Sequence, residues 1–232
     1  TIVTTELQDK IAKSFGVEVE NTLTGFKWIC RRMEEIKVES PERNFLFGTE
    51  ESYGYLNHEY IRDKDGVSSL ALMAEAALYY KTQGLTLIEA LNEIYEAFGF
   101  SHETLLNLNY EGKAGAEKIQ RIMAIFRNNK KISIPGEEIE QFEDYQEKVS
   151  YSVDDSGKVE KKGTINLPAS NVIGLHFKSG NKLFLRPSGT EPKIKFYLMN
   201  FEKSGALEEN KARSMEKSQQ CVDFITNLAN NA

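Results

Sequence analysis

Arg186-Pro187-Ser188-Gly189-Thr190-Glu191-Pro192-Lys193 separates two runs of strand-forming sequence, residues 182–186 and 193–201. A loop carried between two strands is held by a rigid sheet. Arg186 offers a planar fork of donors that matches phosphate oxygens in pairs. Ser188 and Thr190 add hydroxyls, and Gly189 lets backbone N–H groups come close to an anion. The two prolines stiffen the loop and so reduce the entropy lost on binding. Pro, Ser, Gly and Thr are also ordinary turn formers, so a plain surface turn is the competing reading. Glu191 fits an anion site only if its carboxylate faces away from it.

Strand signals continue on either side of this loop. Residues 149–153 lead into Asp154-Asp155-Ser156-Gly157. Residues 172–177 pass through Ser179-Gly180-Asn181 into the run that ends at Arg186. Residues 206–228 form a helix whose apolar stripe is Met215, Cys221, Val222, Ile225 and Leu228. This second half, residues 131–232, reads as a smaller α+β domain, an antiparallel sheet with helices on one face.

The first half, residues 1–130, alternates helix and strand signals instead. Thr4 or Thr5 can cap a helix carrying Leu7, Ile11 and Phe15, which Gly16 ends. Val17 and Val19 alternate with glutamates as in a short strand, and Phe45-Leu46-Phe47 is a buried-strand pattern closed by Gly48. Between them Phe26, Ile29, Cys30 and Met33 recur at helical spacing. Asp65 can cap a helix through Leu70, Met73, Ala77 and Tyr80 towards Gly84, and Thr86 with Glu89 forms a capping box for the next. Residues 105–110 alternate as a strand. Residues 114–126 form a helix with Ile119, Ile122, Met123 and Phe126 inward. Helices between strands imply crossovers, hence a three-layer α/β/α domain with a mostly parallel sheet and ligands beyond its carboxyl ends. The polar run Asn128-Asn129-Lys130-Lys131 marks the expected domain boundary and hinge. Thr1-Ile2-Val3 resembles the end of a strand with no Met before it, so the expectation is a piece cut from a longer chain, with its first domain N-terminally truncated.

The 232 residues carry a formal net charge of -6. That argues against a general nucleic-acid or membrane-surface partner, which needs a basic face. The two cysteines, Cys30 and Cys221, sit among apolar residues at helical spacing and read as buried thiols. Together with the lack of a signal peptide and of a membrane-spanning apolar run, they give a cytoplasmic expectation. His58, His102 and His176 are scattered; His176 reads as structural.

Three further first-half segments carry polar groups suited to a ligand. Gly48-Thr49-Glu50-Glu51-Ser52-Tyr53-Gly54 follows the Phe45–Phe47 run, and its carboxylates can accept from vicinal sugar hydroxyls. Leu23-Thr24-Gly25-Phe26-Lys27 and Arg62-Asp63-Lys64-Asp65-Gly66 bring lysines. Asp63 and Asp65 invite a metal reading, but a helix cap explains Asp65 better.

Taken together, these four segments resemble those of the α-D-phosphohexomutase (phosphoglucomutase/phosphomannomutase) family. The loop from Arg186, with Ile194-Lys195, resembles the phosphate-binding loop of the family's last domain, which has a TATA-binding-protein-like fold. The likeness spans the chain and corresponds to the last two of four domains. It implies that Arg186, Ser188, Gly189, Thr190 and Lys195 hold the phosphate that is not transferred. It also implies that Glu50, Ser52 and Gly25 bind the sugar, and that Lys64 and Lys27 stabilise phosphoryl charge or assist proton transfer. The substrate implied is a hexose phosphate, interconverted between 1- and 6-phosphates through glucose 1,6-bisphosphate; pentose and amino-sugar phosphates stay open. Mg2+ is implied for the parent enzyme. The family's phosphoserine loop, Thr/Ala-Ser-His-Asn-Pro-like, and its Asp-x-Asp-x-Asp-Arg magnesium loop do not occur in this sequence. The expectation is a piece without mutase activity whose partners are the N-terminal domains of the same polypeptide. The alternative is a stand-alone phosphosugar-binding module. Metal ligands in this chain are not expected, and the oligomeric state is open.

Overall fold

The computed structural model describes residues 1–189 and 191–232; Thr190 lies outside the described residues. The chain divides into two compact units, Thr1–Gly99 and Phe100–Ala232.

The first unit runs α1 (Leu7–Ser14), α2 (Phe26–Glu39), β1 (Gly48–Glu50), β2 (Gly54–Leu56), α3 (Gly66–Thr82) and α4 (Leu87–Phe98). Its helix ends follow local chemistry. Asp65 caps α3 by accepting from Val67 N–H at 2.9 Å. Thr86 and Glu89 form the expected capping box of α4, Thr86 N–H donating to Glu89 at 2.8 Å and Glu89 N–H to Thr86 Oγ1 at 3.2 Å. Gly16, at φ 70°, follows α1, while Phe15 stands 78% exposed rather than on a buried face.

Among the described residues this unit has an α/β composition, but its one ladder is the antiparallel β1–β2 pair, not a parallel sheet. The two anticipated strands spend their backbone donors elsewhere. Val17 N–H closes the last turn of α1 onto Ala12 O. Phe45 N–H goes to the Glu59 carboxylate, and the Phe45 ring packs against Phe26, Cys30 and Leu56. α3 has no buried residue, so Leu70 and Met73 lie open where the spacing placed a core face.

The second unit is the larger. It runs β3 (Phe100–Asn109), α5 (Gly112–Asn128), β4 (Ile139–Asp144), β5 (Val149–Val153), β6 (Val159–Thr164), β7 (Ile173–Phe177), β8 (Lys182–Pro187), β9 (Lys193–Glu202) and α6 (Leu207–Asn230). The strands form one antiparallel sheet in the order β3-β9-β8-β7-β4-β5-β6. One face meets Ile119, Ile122, Met123 and Phe126 of α5 and Cys221, Ile225 and Ala229 of α6; Phe142, Leu175, Leu183, Leu185 and Phe196 fill the layer between. The opposite face carries Lys195, Arg186 and His176.

This sheet moves the division between units to Gly99–Phe100, upstream of the expected Asn128–Lys131. β3 pairs with β9 from Phe100↔Glu202 to Asn109↔Lys193, and α5 supplies Phe126, fully buried. Both elements thus belong to the second unit. The polar run is a helix end tied to the sheet. Arg127 Nε donates to Asp144 at 2.8 Å, its Nη2 to Asn171 Oδ1 at 2.8 Å, and Ile132 just beyond is buried.

Both cysteines are buried free thiols, and burial pushes Cys221 up to about 12. No helix among the described residues is long and apolar enough to cross a membrane.

Candidate functional site

In the second unit, β8 delivers Arg186 to the mouth of the β8–β9 connection. Arg186 pairs in register with Lys195 and Pro187 with Ile194. Side chains alternate across a strand. Leu185 and Phe196 enter the helix-side core, so Arg186 and Lys195 share the other face. The loop is closed by Ser188 N–H donating to Lys193 O at 2.8 Å, and Glu191 N–H reaches Ser188 Oγ at 3.3 Å. Tyr110 N–H, just past β3, donates to Pro192 O at 2.9 Å and pins the loop to the sheet edge.

Arg186 Nη1 is buried and has no hydrogen-bond partner among the described residues. Burial of an unmet cationic donor is costly, which makes it the group in this loop that most needs an acceptor. Glu191 does not supply one. Its carboxylate pairs with the Lys193 ammonium, which holds it below the usual carboxylate range. Gly189 is exposed, with open space where a Cβ would stand. Thr190 falls outside the described residues.

In the first unit, the β1–β2 hairpin presents Glu50, whose side chain is buried. Its Oε1 accepts from Lys64 Nζ at 2.6 Å and from Ser52 Oγ at 2.9 Å. The structure thus gathers Glu50, Ser52 and Lys64, three of the residues singled out from the sequence. The Glu50 carboxylate raises the Lys64 pKa above its ordinary 10.5, so Lys64 is held as an ammonium ion. Lys64 itself is positioned by the loop before α3. Asp65 N–H donates to Tyr55 O of β2 at 2.8 Å, and Lys64 N–H to Asp63 Oδ1 at 2.8 Å.

Among the described residues, Gly25 and Lys27 make no hydrogen bond or ion pair with that group. Gly25 starts α2 at φ 112°, a conformation L side chains rarely adopt. Lys27 is exposed, with its ammonium 5.1 Å from the Trp28 ring centre. His58 Nε2 lies 2.7 Å from Asp65 Oδ2 and makes the α3 cap a two-residue device. With the Val67 N–H, it holds the Asp65 carboxyl down at about 2.

Sequence reasoning missed Gly54. A Cβ there would stand 2.6 Å from Phe26 Cε2 and 2.7 Å from Glu50 Cγ. Only a glycine lets the hairpin close over the Glu50 stem. Its signal was available as the residue that ends the Glu50–Gly54 run, but the partner that makes it necessary comes from α2.

A cavity of about 440 Å3 in the first unit is walled by Val17, Val19, Ile29, Met33, Ile36 and Phe45, with Arg32, Arg43 and Glu59 also in its lining. Glu50, Ser52 and Lys64 are not part of its lining, so their cluster lies outside this chamber. Among the described residues no three His, Cys, Asp or Glu side chains gather as a set able to hold a metal ion.

Residues 1–98 match the family described as phosphoglucomutase/phosphomannomutase, alpha/beta/alpha domain III. A phosphoglucomutase of Staphylococcus aureus (strain bovine RF122 / ET3-1) is 40% identical over 198 residues, which is 85% of this chain and 34% of that protein. A phosphoglucomutase of Staphylococcus saprophyticus is 40% identical over 198 residues, 85% of this chain and 35% of that protein. The chain therefore spans about a third of the length of these curated relatives. The open form of the Paramecium exocytosis-sensitive phosphoprotein pp63/parafusin, a phosphoglucomutase, superposes with a TM-score of 0.61. It shares 19% identity over 98% of this chain and 37% of that one, and at that identity shows the fold alone.

Proposed function

Because this chain is a member of the phosphoglucomutase/phosphomannomutase family, carrying its domain III over residues 1–98, we propose that it binds a phosphorylated hexose for a mutase reaction. In this reading the second unit takes the phosphate that stays in place. The observation that carries it is the buried, unpartnered Nη1 of Arg186 beside Lys195. A phosphate oxygen supplies the missing acceptor, and the planar guanidinium can meet two oxygens at once. Ser188, Gly189 and Thr190 complete the loop's donors.

The first unit takes the sugar. Glu50 accepts from ring hydroxyls, and Ser52 and Lys64, already directed at its Oε1, fix the carboxylate and donate to neighbouring oxygens. Lys64 works as a fixed ammonium donor near developing phosphoryl charge. Gly25 and Lys27 are proposed as outer contacts to the same ligand. The parent protein is proposed to interconvert hexose 1-phosphate and hexose 6-phosphate by way of a bisphosphate. Magnesium would then act on the transferred phosphate through residues other than these. No Ser-His-Asn-Pro-like serine loop and no Asp-x-Asp-x-Asp-Arg loop occurs in this sequence, so binding without turnover is the function proposed for these residues alone.

The test is a calorimetric titration of the chain with glucose 1,6-bisphosphate, beside Arg186→Ala and Glu50→Gln variants. Binding weakened at least tenfold by Arg186→Ala supports the phosphate assignment. Equal affinity of wild type and Arg186→Ala rejects it.

A further inference from the structure

Arg186, Lys195 and Asn107 lie at one level of the seven-stranded sheet. β8 pairs Arg186 with Lys195, and β3 pairs Asn107 with the same Lys195. Their chain neighbours Leu185, Phe196 and Leu106 all belong to the helix-side core. By the alternation of a strand, the three polar side chains therefore stand side by side on the opposite face. Directly opposed residues on adjacent strands have Cβ atoms about 5 Å apart. The row is thus about 10 Å long, the span of a phosphate group and its ester substituent.

Two features set Asn107 apart from an ordinary strand residue. Asparagine is a poor strand former, yet it stands exposed between Leu106 and Leu108, two residues before the ladder ends beside the β8–β9 loop. Neither its carboxamide nor the Lys195 ammonium hydrogen-bonds to another described residue, and Arg186 Nη1 is buried and unmet. Asn109, two residues on, differs: it opposes Lys193, whose ammonium is already taken by Glu191. Among the described residues this level of the sheet therefore holds three neighbouring groups whose donors are not hydrogen-bonded to an acceptor of the chain, with the Glu191 carboxylate acting on Lys195 only through its charge.

We propose that Asn107 is a third member of the anion row and donates its amide N–H to a phosphate oxygen held by Arg186 and Lys195. This rests on the reading of Arg186 as a phosphate ligand. The ligand class is a phosphate monoester. The Arg186 fork meets two terminal oxygens, the Lys195 ammonium the third, and the Asn107 amide shares that third oxygen from the sheet edge. No residue of the edge strand was part of the loop motif, because the motif is contiguous and Asn107 reaches the row only through pairing.

The test titrates the full chain at low ionic strength with inorganic phosphate and with glucose 1,6-bisphosphate. Wild type, Arg186→Ala, Asn107→Ala and Asn107→Asp are compared, with the melting temperature of each measured in parallel. The expected result is a loss of about threefold to tenfold for Asn107→Ala and more than tenfold for Asn107→Asp, whose carboxylate repels the dianion. If Arg186→Ala weakens binding tenfold while both Asn107 variants bind within twofold of wild type, the role of Asn107 is wrong and the phosphate loop stands. If Arg186→Ala also binds like wild type, or wild type binds neither ligand, both readings fall. Should Asn107→Asp not fold, Asn107→Ala decides by the same twofold limit.

Discussion

The Lys64 ammonium lies 2.6 Å from Oε1 of Glu50, and the two differ sharply in exposure: the carboxylate side chain is 5% exposed, the lysine 46%. A buried carboxylate left without its cation cannot recover its hydration, whereas a half-exposed lysine left without its carboxylate swings into water. The two partners are therefore unequal when removed. Lys64→Met is expected to destabilise the first unit by about 2–3 kcal/mol and Glu50→Gln by about 1 kcal/mol. Urea unfolding of both variants checks the order, and a larger loss for Glu50→Gln would contradict it.

Gly54→Ala places a methyl 2.6 Å from Phe26 Cε2 and 2.7 Å from Glu50 Cγ. Overpacking of this kind costs about 1–3 kcal/mol. The displaced Glu50 stem should weaken sugar-phosphate binding as well. Thermal melting and ligand titration of the same variant should both move; a variant as stable as wild type would show that the hairpin relaxes freely.

Arg186→Met separates stability from function. It removes a buried donor without a partner, so in the absence of ligand the second unit should be as stable as wild type or more stable, by up to about 1 kcal/mol. Phosphate affinity should be lost. Denaturant midpoints with and without glucose 1,6-bisphosphate measure both, and the ligand-induced rise in midpoint should vanish in the variant.

Asp65 gives the first unit an acid limb. Hydrogen bonds from His58 and from Val67 N–H lower its pKa from 3.8 to about 2. A carboxyl depressed in the folded state stabilises above its unfolded value, and that stability is lost as pH falls from about 4 towards 2. Helicity followed by circular dichroism should fall over that range in wild type. Asp65→Asn should start less stable and show a flatter response.

The division at Gly99–Phe100 predicts where the chain can be cut. Residues 100–232 should unfold cooperatively as an isolated piece. Residues 131–232 should not, because β9 then lacks β3 and the sheet lacks the buried Phe126. A cooperative melt of residues 131–232 would return the boundary to the polar run.

Much of this protein was legible in one dimension because it depends on contiguous residues. Asp65 and the Thr86–Glu89 box cap helices through atoms within three residues of each other. The loop from Arg186 to Lys193 carries its donors in an unbroken run. The antiparallel strands of the second unit announce themselves by tight turns between them. The tertiary structure alone decided what depends on distant partners. Residues 105–110 and 114–126 look alike whether they join the sheet before them or the one after. Pairing with β9, more than eighty residues away, chose the latter. Val17–Val19 and Phe45–Phe47 have strand composition, but their N–H groups found nearer acceptors in Ala12 and Glu59. Glu50 and Lys64 are fourteen residues apart and meet only because Asp65 is tied to β2. Composition sets which side chains can bind; the closing of long loops sets which of them stand together.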